Sequence, residues 1–178
     1  MRRTRTAGFT LVELMVTIAI VAILAAIAFP NFETTMRSNR VATTTNELIA
    51  SLSLARSEAI RNPTGAAMCP SANGTSCDAT GAWGNGWVVW IDLNNNGAIN
   101  TGERVVRYVQ AKNRIAVGGE PSPIQFDNRG RVVGGARTLS VEPDECPSDA
   151  DLKRNLTVSA TGQARSERTT CGPPVVTP

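Results

Sequence analysis

Gly8-Phe9-Thr10-Leu11-Val12-Glu13 decides how the rest of the chain is read: a short basic leader ends at a glycine, and an apolar run begins whose fifth residue is a carboxylate. From Phe9 to Phe29 the sequence holds 21 residues with Glu13 as the only charge. As a helix, at about 1.5 Å per residue, such a run reaches roughly 31 Å, enough to span a bilayer. An ionised glutamate there costs about 2.5 kcal/mol or more at the centre and less near the end. It therefore needs either a partner or a position from which it snorkels to the interface. The leader, with Arg2, Arg3 and Arg5, is not an ordinary secretory signal. Its apolar segment is too long, and no small-x-small cleavage site precedes the polar sequence.

These residues resemble the N-terminus of type IV pilins and pseudopilins, whose precursors carry a short basic leader ending in Gly and then Phe-Thr-Leu-(Val/Ile)-Glu. The resemblance implies that residues 1–8 are a prepilin leader and that 9–29 is a transmembrane helix. It also implies that prepilin peptidase cuts between Gly8 and Phe9 and methylates the new amino group of Phe9. Glu13 would then pair with the N-terminal ammonium of a neighbouring subunit as major and minor pilins or pseudopilins assemble through their N-terminal helices. The physics agrees, since a buried carboxylate is tolerable when a cation is supplied.

Charge and cysteines suit that setting. Of the 18 Lys+Arg, three lie in the leader, so a chain cut after Gly8 carries 15 basic and 15 acidic side chains and no net side-chain charge. Basic residues ahead of a membrane segment stay cytoplasmic, which places the C-terminal part in the periplasm, anchored to the bacterial inner membrane. Cys69, Cys77, Cys146 and Cys171 fit an oxidising compartment, and three connectivities are open. Cys69 with Cys77 and Cys146 with Cys171 is favoured: the first pair closes a short loop holding Pro70 and Asn73-Gly74, and the second pins the tail. A zinc site on all four lacks any C-x2-C hook.

Residues 30–62 read as an amphipathic continuation of the helix. Val41, Thr45, Leu48, Leu52, Ala55 and Ala59 fall on one face, with Glu47, Arg56, Glu58 and Arg61 mostly off it, and the helix ends before Asn62-Pro63. Pro30 lies inside this rod and tends to kink it. From 63 to 178 the spacing changes to Gly, Pro, Asn and short β-rich runs. Expected strands are 87–91, 104–109, 124–126, 130–133, 138–141 and 156–160. Alternation sets Trp87, Val89 and Ile91 on one face and Trp90 on the other, as core packing plus one partly covered indole. The fold class is α+β: a long N-terminal helix carrying an antiparallel β-sheet or β-sandwich domain.

Cys69-Pro70-Ser71, Cys77, Trp83-Gly84-Asn85-Gly86-Trp87-Val88-Val89 and Phe126-Asp127-Asn128-Arg129-Gly130-Arg131-Val132 resemble the GspH/FimT group of minor pilins and pseudopilins, FimU-like proteins included. That resemblance implies a β-sandwich-like domain on the helix and a role in priming filament assembly at the tip. The filament is that of a type IV pilus or of a type II secretion system.

Two binding readings remain. Asp92, Asn94, Asn96, Gly97 and Glu103 fit D-x-[DN]-x-[DN]-G-x5-E, a calcium loop. Its flanks are strand-like rather than helical, and Asn-Asn-Asn-Gly also makes an ordinary hairpin turn. Some FimT-like relatives bind DNA through Gly-Arg-x-Arg near the C-terminus; here the stretch is Gly162-Gln163-Ala164-Arg165, without the first arginine. Lys153, Arg154, Arg165 and Arg168 are the phosphate-contact candidates, against a reading as solvated surface charge. With no histidine in the sequence, Ser-His-Asp and Cys-His chemistry is excluded, and no enzyme is expected.

Overall fold

The computed structural model describes residues 9–172, and of 27–31 only the backbone. The leader 1–8, with Gly8, and the tail 173–178 lie outside the described residues. Two compact units divide the chain, Met1–Arg37 and Ser38–Pro178.

The first unit holds the start of helix α1, Leu11–Arg61, whose helical backbone continues through Pro30. Thr10 Oγ1 accepts the Glu13 N–H at 3.2 Å, so Thr10-x-x-Glu13 has capping-box spacing. The acid in the first turn also complements the positive end of the helix dipole. Thr17 places its hydroxyl on the Leu14 carbonyl at 2.9 Å, which satisfies a polar group within the apolar run. Large apolar side chains from Phe9 to Leu24 are exposed. Among the described residues no helix is long and apolar enough to cross a membrane. The 9–29 run expected to do so extends into 27–31, where only the backbone is described.

In the second unit, Val41, Thr45, Leu48, Leu52, Ala55 and Ala59 are buried, as their spacing predicts. Glu58 departs from expectation. It is buried at 9% exposure, between Arg61 and Arg104 at 3.6 Å each, and the two guanidinium groups offset its desolvation. Among the described residues eight strands follow: β1 Ala66–Pro70, β2 Gly86–Trp90, β3 Val105–Gln110, β4 Ile115–Gly119, β5 Ile124–Phe126, β6 Arg137–Pro143, β7 Lys153–Val158 and β8 Ala164–Thr169. They form two four-stranded antiparallel sheets, ordered β3-β2-β1-β5 and β4-β6-β7-β8. Leu48 and Leu52 of the helix share one core with Trp87 and Phe126 of the first sheet and Leu139 and Leu156 of the second.

Three strands were not expected from the sequence. β1 is buried at every position and shows no alternation. β4 ends in Gly118-Gly119, where a Cβ on Gly119 would stand 2.9 Å from Trp83 Nε1, so the glycine makes room for the indole. β8 is an edge strand of charged, mostly exposed residues. Conversely, 130–133 is no strand. Gly130 has φ 72°, and only an isolated bridge joins Val132 to Phe126. Trp90 is fully buried rather than partly covered: with Ala67, Cys69 and Val88 it forms a second cluster, sealed by Cys77, Ile99 and Tyr108. Ile91 is buried outside the main core, next to a register shift between Val89 and Trp90.

Candidate functional site

The site begins at the first turn of α1. Thr10 occupies the Glu13 backbone N–H, yet the Glu13 carboxylate itself has no hydrogen bond or ion pair among the described residues. It is exposed among exposed Phe9, Leu11, Val12 and Leu14. Such a surface can bury apolar area against a like helix and offers that helix one negative charge. The capping role of Thr10 was missed in the sequence reading, although Thr10-x-x-Glu13 before an apolar run carried the signal.

The cysteines pair as Cys69–Cys77 and Cys146–Cys171, with no free thiol. The first pair lies over the Trp90 cluster. The second draws the segment after β8 to loop 144–152, where Cys171 N–H donates to the Ala150 carbonyl at 2.9 Å.

The four basic candidates for nucleic acid do not form one patch. Arg154 and Arg168 are cross-strand partners on β7 and β8, in step with Leu156 and Val158. Lys153 and Arg165 belong to the other face, which Glu167 shares, because alternate residues of a strand point to opposite sides. Lys153 is also held by Glu142 at 3.0 Å.

The calcium candidates do gather, in the loop from β2 to β3. Asp92 accepts the N–H groups of Asn96 at 3.2 Å and Gly97 at 2.8 Å, and Glu103 accepts those of Leu93 and Asn100, each at 2.9 Å. Asn94 and Asn96 close successive turns onto Asn96 N–H and Ala98 N–H. No group of three or more His, Cys, Asp or Glu side chains able to hold a metal occurs among the described residues. For acid–base chemistry, a surface depression of about 630 Å³ bordered by Asp127, Arg131, Val133 and Thr161 offers one carboxylate, which Arg131 already holds at 2.9 Å.

Residues 44–162 match the family described as Type II transport protein GspH, and residues 3–29 match the prokaryotic N-terminal methylation motif. No curated protein matches the chain significantly. The crystal structure of the type IV minor pilin FimU from Pseudomonas aeruginosa (strain PAO1) is similar, with TM-score 0.53 and 18% identity over 75% of this chain and 97% of that one. At that identity the likeness concerns the fold. The methylation motif, together with the family, implies inner-membrane anchoring and association with other pilins in a filament. With the GspH match covering most of the globular unit and the methylation motif lying over the start of α1, the chain belongs to the GspH/FimT family of type IV pilin-like proteins.

Proposed function

We propose that the chain is a minor pilin that prepilin peptidase cuts between Gly8 and Phe9 and methylates on Phe9. It is held in the inner membrane by residues 9–29 with its C-terminal domain in the periplasm. From there it joins a type IV pilus at or near the tip, where it primes filament assembly. The observation that carries this is the Glu13 carboxylate, exposed and without a partner among the described residues, in the first turn of a helix whose apolar side chains are exposed there. A neighbour's Phe9 ammonium supplies the cation that makes burying that carboxylate tolerable.

The test is Glu13→Ala in the full-length precursor. Leader removal and membrane insertion should stay intact while incorporation into sheared filaments, read by immunoblot, falls. Normal incorporation sinks the pairing. The same N-terminal mechanism serves a type II secretion pseudopilin, so a deletion strain separates the two: loss of surface pili with normal protein secretion supports the pilus, and the reverse supports the secretion system. A DNA receptor draws less support, because the basic candidates are divided between two faces of the sheet. Gel shifts no tighter than those of a charge-matched control would remove it.

A further inference from the structure

The loop between β2 and β3 holds a buried charge. Asp92 is 1% exposed, and among the described residues no cationic side chain pairs with it; there its oxygens accept the N–H groups of Asn96 and Gly97 and the Gln125 amide, the last at 3.2 Å. Buried charges in proteins are paired or coordinate metals. Amide donors lessen the cost of such a carboxylate but leave its charge uncompensated.

Oxygen-bearing groups recur at the first, third, fifth, seventh, ninth and twelfth positions of the loop that starts at Asp92 and ends at Glu103. The seventh and ninth, the Ala98 carbonyl and Asn100, lie outside the acidic pattern. Asn100 Nδ2 stands 3.1 Å from Asn96 Oδ1 and 2.9 Å from the Ala98 carbonyl oxygen. Its partly positive amide hydrogens thus bridge two acceptors, and a half-turn of that amide presents Oδ1 instead. Glu103 is folded back to the loop's beginning, where its Oε1 accepts the Leu93 N–H at 2.9 Å. Gly97, with φ 74°, makes the bend in the middle.

We propose that this loop is a calcium site, with oxygens from Asp92, Asn94, Asn96, the Ala98 carbonyl, Asn100 and Glu103. An all-oxygen set rich in adaptable amides suits calcium better than magnesium, which demands strict octahedral geometry. Only two of the ligands are carboxylates, so the affinity belongs with extracellular modules, at a Kd of roughly 10⁻⁴–10⁻³ M. The loop joins two strands, so the ion does not swing helices apart. It fixes Ile99, which seals the Trp90 cluster.

Equilibrium dialysis of the detergent-solubilised full chain against radioactive calcium tests this, with Asn94→Ala and Glu103→Gln beside the wild type. At about 1 mM free calcium, near the expected Kd, the wild type should hold roughly half an ion or more per chain, and both variants several-fold less. Equimolar magnesium should not displace it. At about 10 mM, calcium should favour the folded state about tenfold, raising Tm by about 3 °C over magnesium at equal ionic strength. Asn94 is exposed, so its alanine variant keeps the fold, as intrinsic tryptophan fluorescence would verify. Less than about 0.1 ion per wild-type chain at about 5 mM overturns the proposal, as does equal binding by the wild type and both variants.

Discussion

The indole N–H of Trp87 on β2 donates to the Ser51 hydroxyl on α1 at 2.9 Å, and Ser51 passes its own hydrogen to the Glu47 carbonyl at 2.8 Å. Both side chains are fully buried. A tryptophan in a core needs an acceptor, and the helix supplies one from within its apolar face. Ser51→Ala would orphan the indole, so we expect a loss of about 1–3 kcal/mol, the cost of an unsatisfied buried donor. A lower urea midpoint at unchanged m-value would report it.

Gly162 and Gly130 meet where the two sheets' turns pack beneath Arg56. A Cβ on Gly162 would overlap the Gly130 carbonyl oxygen, which also accepts the Arg56 Nε–H at 3.1 Å, and Gly162 has φ 78°. Gly162→Ala therefore combines left-handed strain with a backbone clash and should cost about 2–4 kcal/mol. Gly135→Ala shares the positive φ, at 97°, but meets nothing within 4 Å, so it should cost less. Thermal denaturation of the two variants compares the terms directly.

The Cys146–Cys171 bridge closes a loop of sequence separation 25. Chain entropy alone makes such a crosslink worth about 3.5 kcal/mol. Replacing both cysteines by serine should lower Tm and speed hydrogen exchange in β8, the strand that ends beside the bridge, more than in β2.

Asp127 gives a pH dependence whose sign follows from its partners. The Arg131 backbone N–H, first of all, and then its guanidinium hold the carboxylate below its ordinary range, at 2.8 and 2.9 Å. The folded pKa lies below an unfolded value of about 3.9, so the carboxylate contributes stability above that pH and loses it as pH falls through the folded value. The stability difference between wild type and Asp127→Asn should accordingly be constant near neutrality and shrink below about pH 3.9.

The helix and the N-terminal methylation motif were legible because both rest on local rules: 3.6-residue spacing and one acid in an apolar run. Strands were legible where β-branched and aromatic residues sit between turns, as at β2, β3 and β5. β1 escaped because Ala-Ala-Met-Cys-Pro is covered on both faces and leaves no alternation to find. β8 escaped because an edge strand is free to be polar. The expected strand at 130–133 failed on Gly130, whose positive φ serves a turn that Asp127 caps through the N–H groups of Arg129 and Arg131. Within the loop from β2 to β3 the acids were visible in the sequence, but burial of Asp92 follows from neighbours such as Gln125, distant in the chain. Separation of Lys153 and Arg165 from Arg154 and Arg168 needed the β7–β8 register, which the sequence does not state.

Burial of β2 on both faces has a consequence for biogenesis. Before α1 covers one side and the loops carrying Cys77 and Ile99 cover the other, Gly86-Trp87-Val88-Val89-Trp90 is a naked, uncharged strand of high β propensity. Such segments pair readily with copies of themselves. A newly made chain is therefore most prone to aggregation in the interval before that strand is enclosed. Oxidation across a sequence separation of only 8, Cys69 to Cys77, draws one of its covers into place with little loop entropy to overcome.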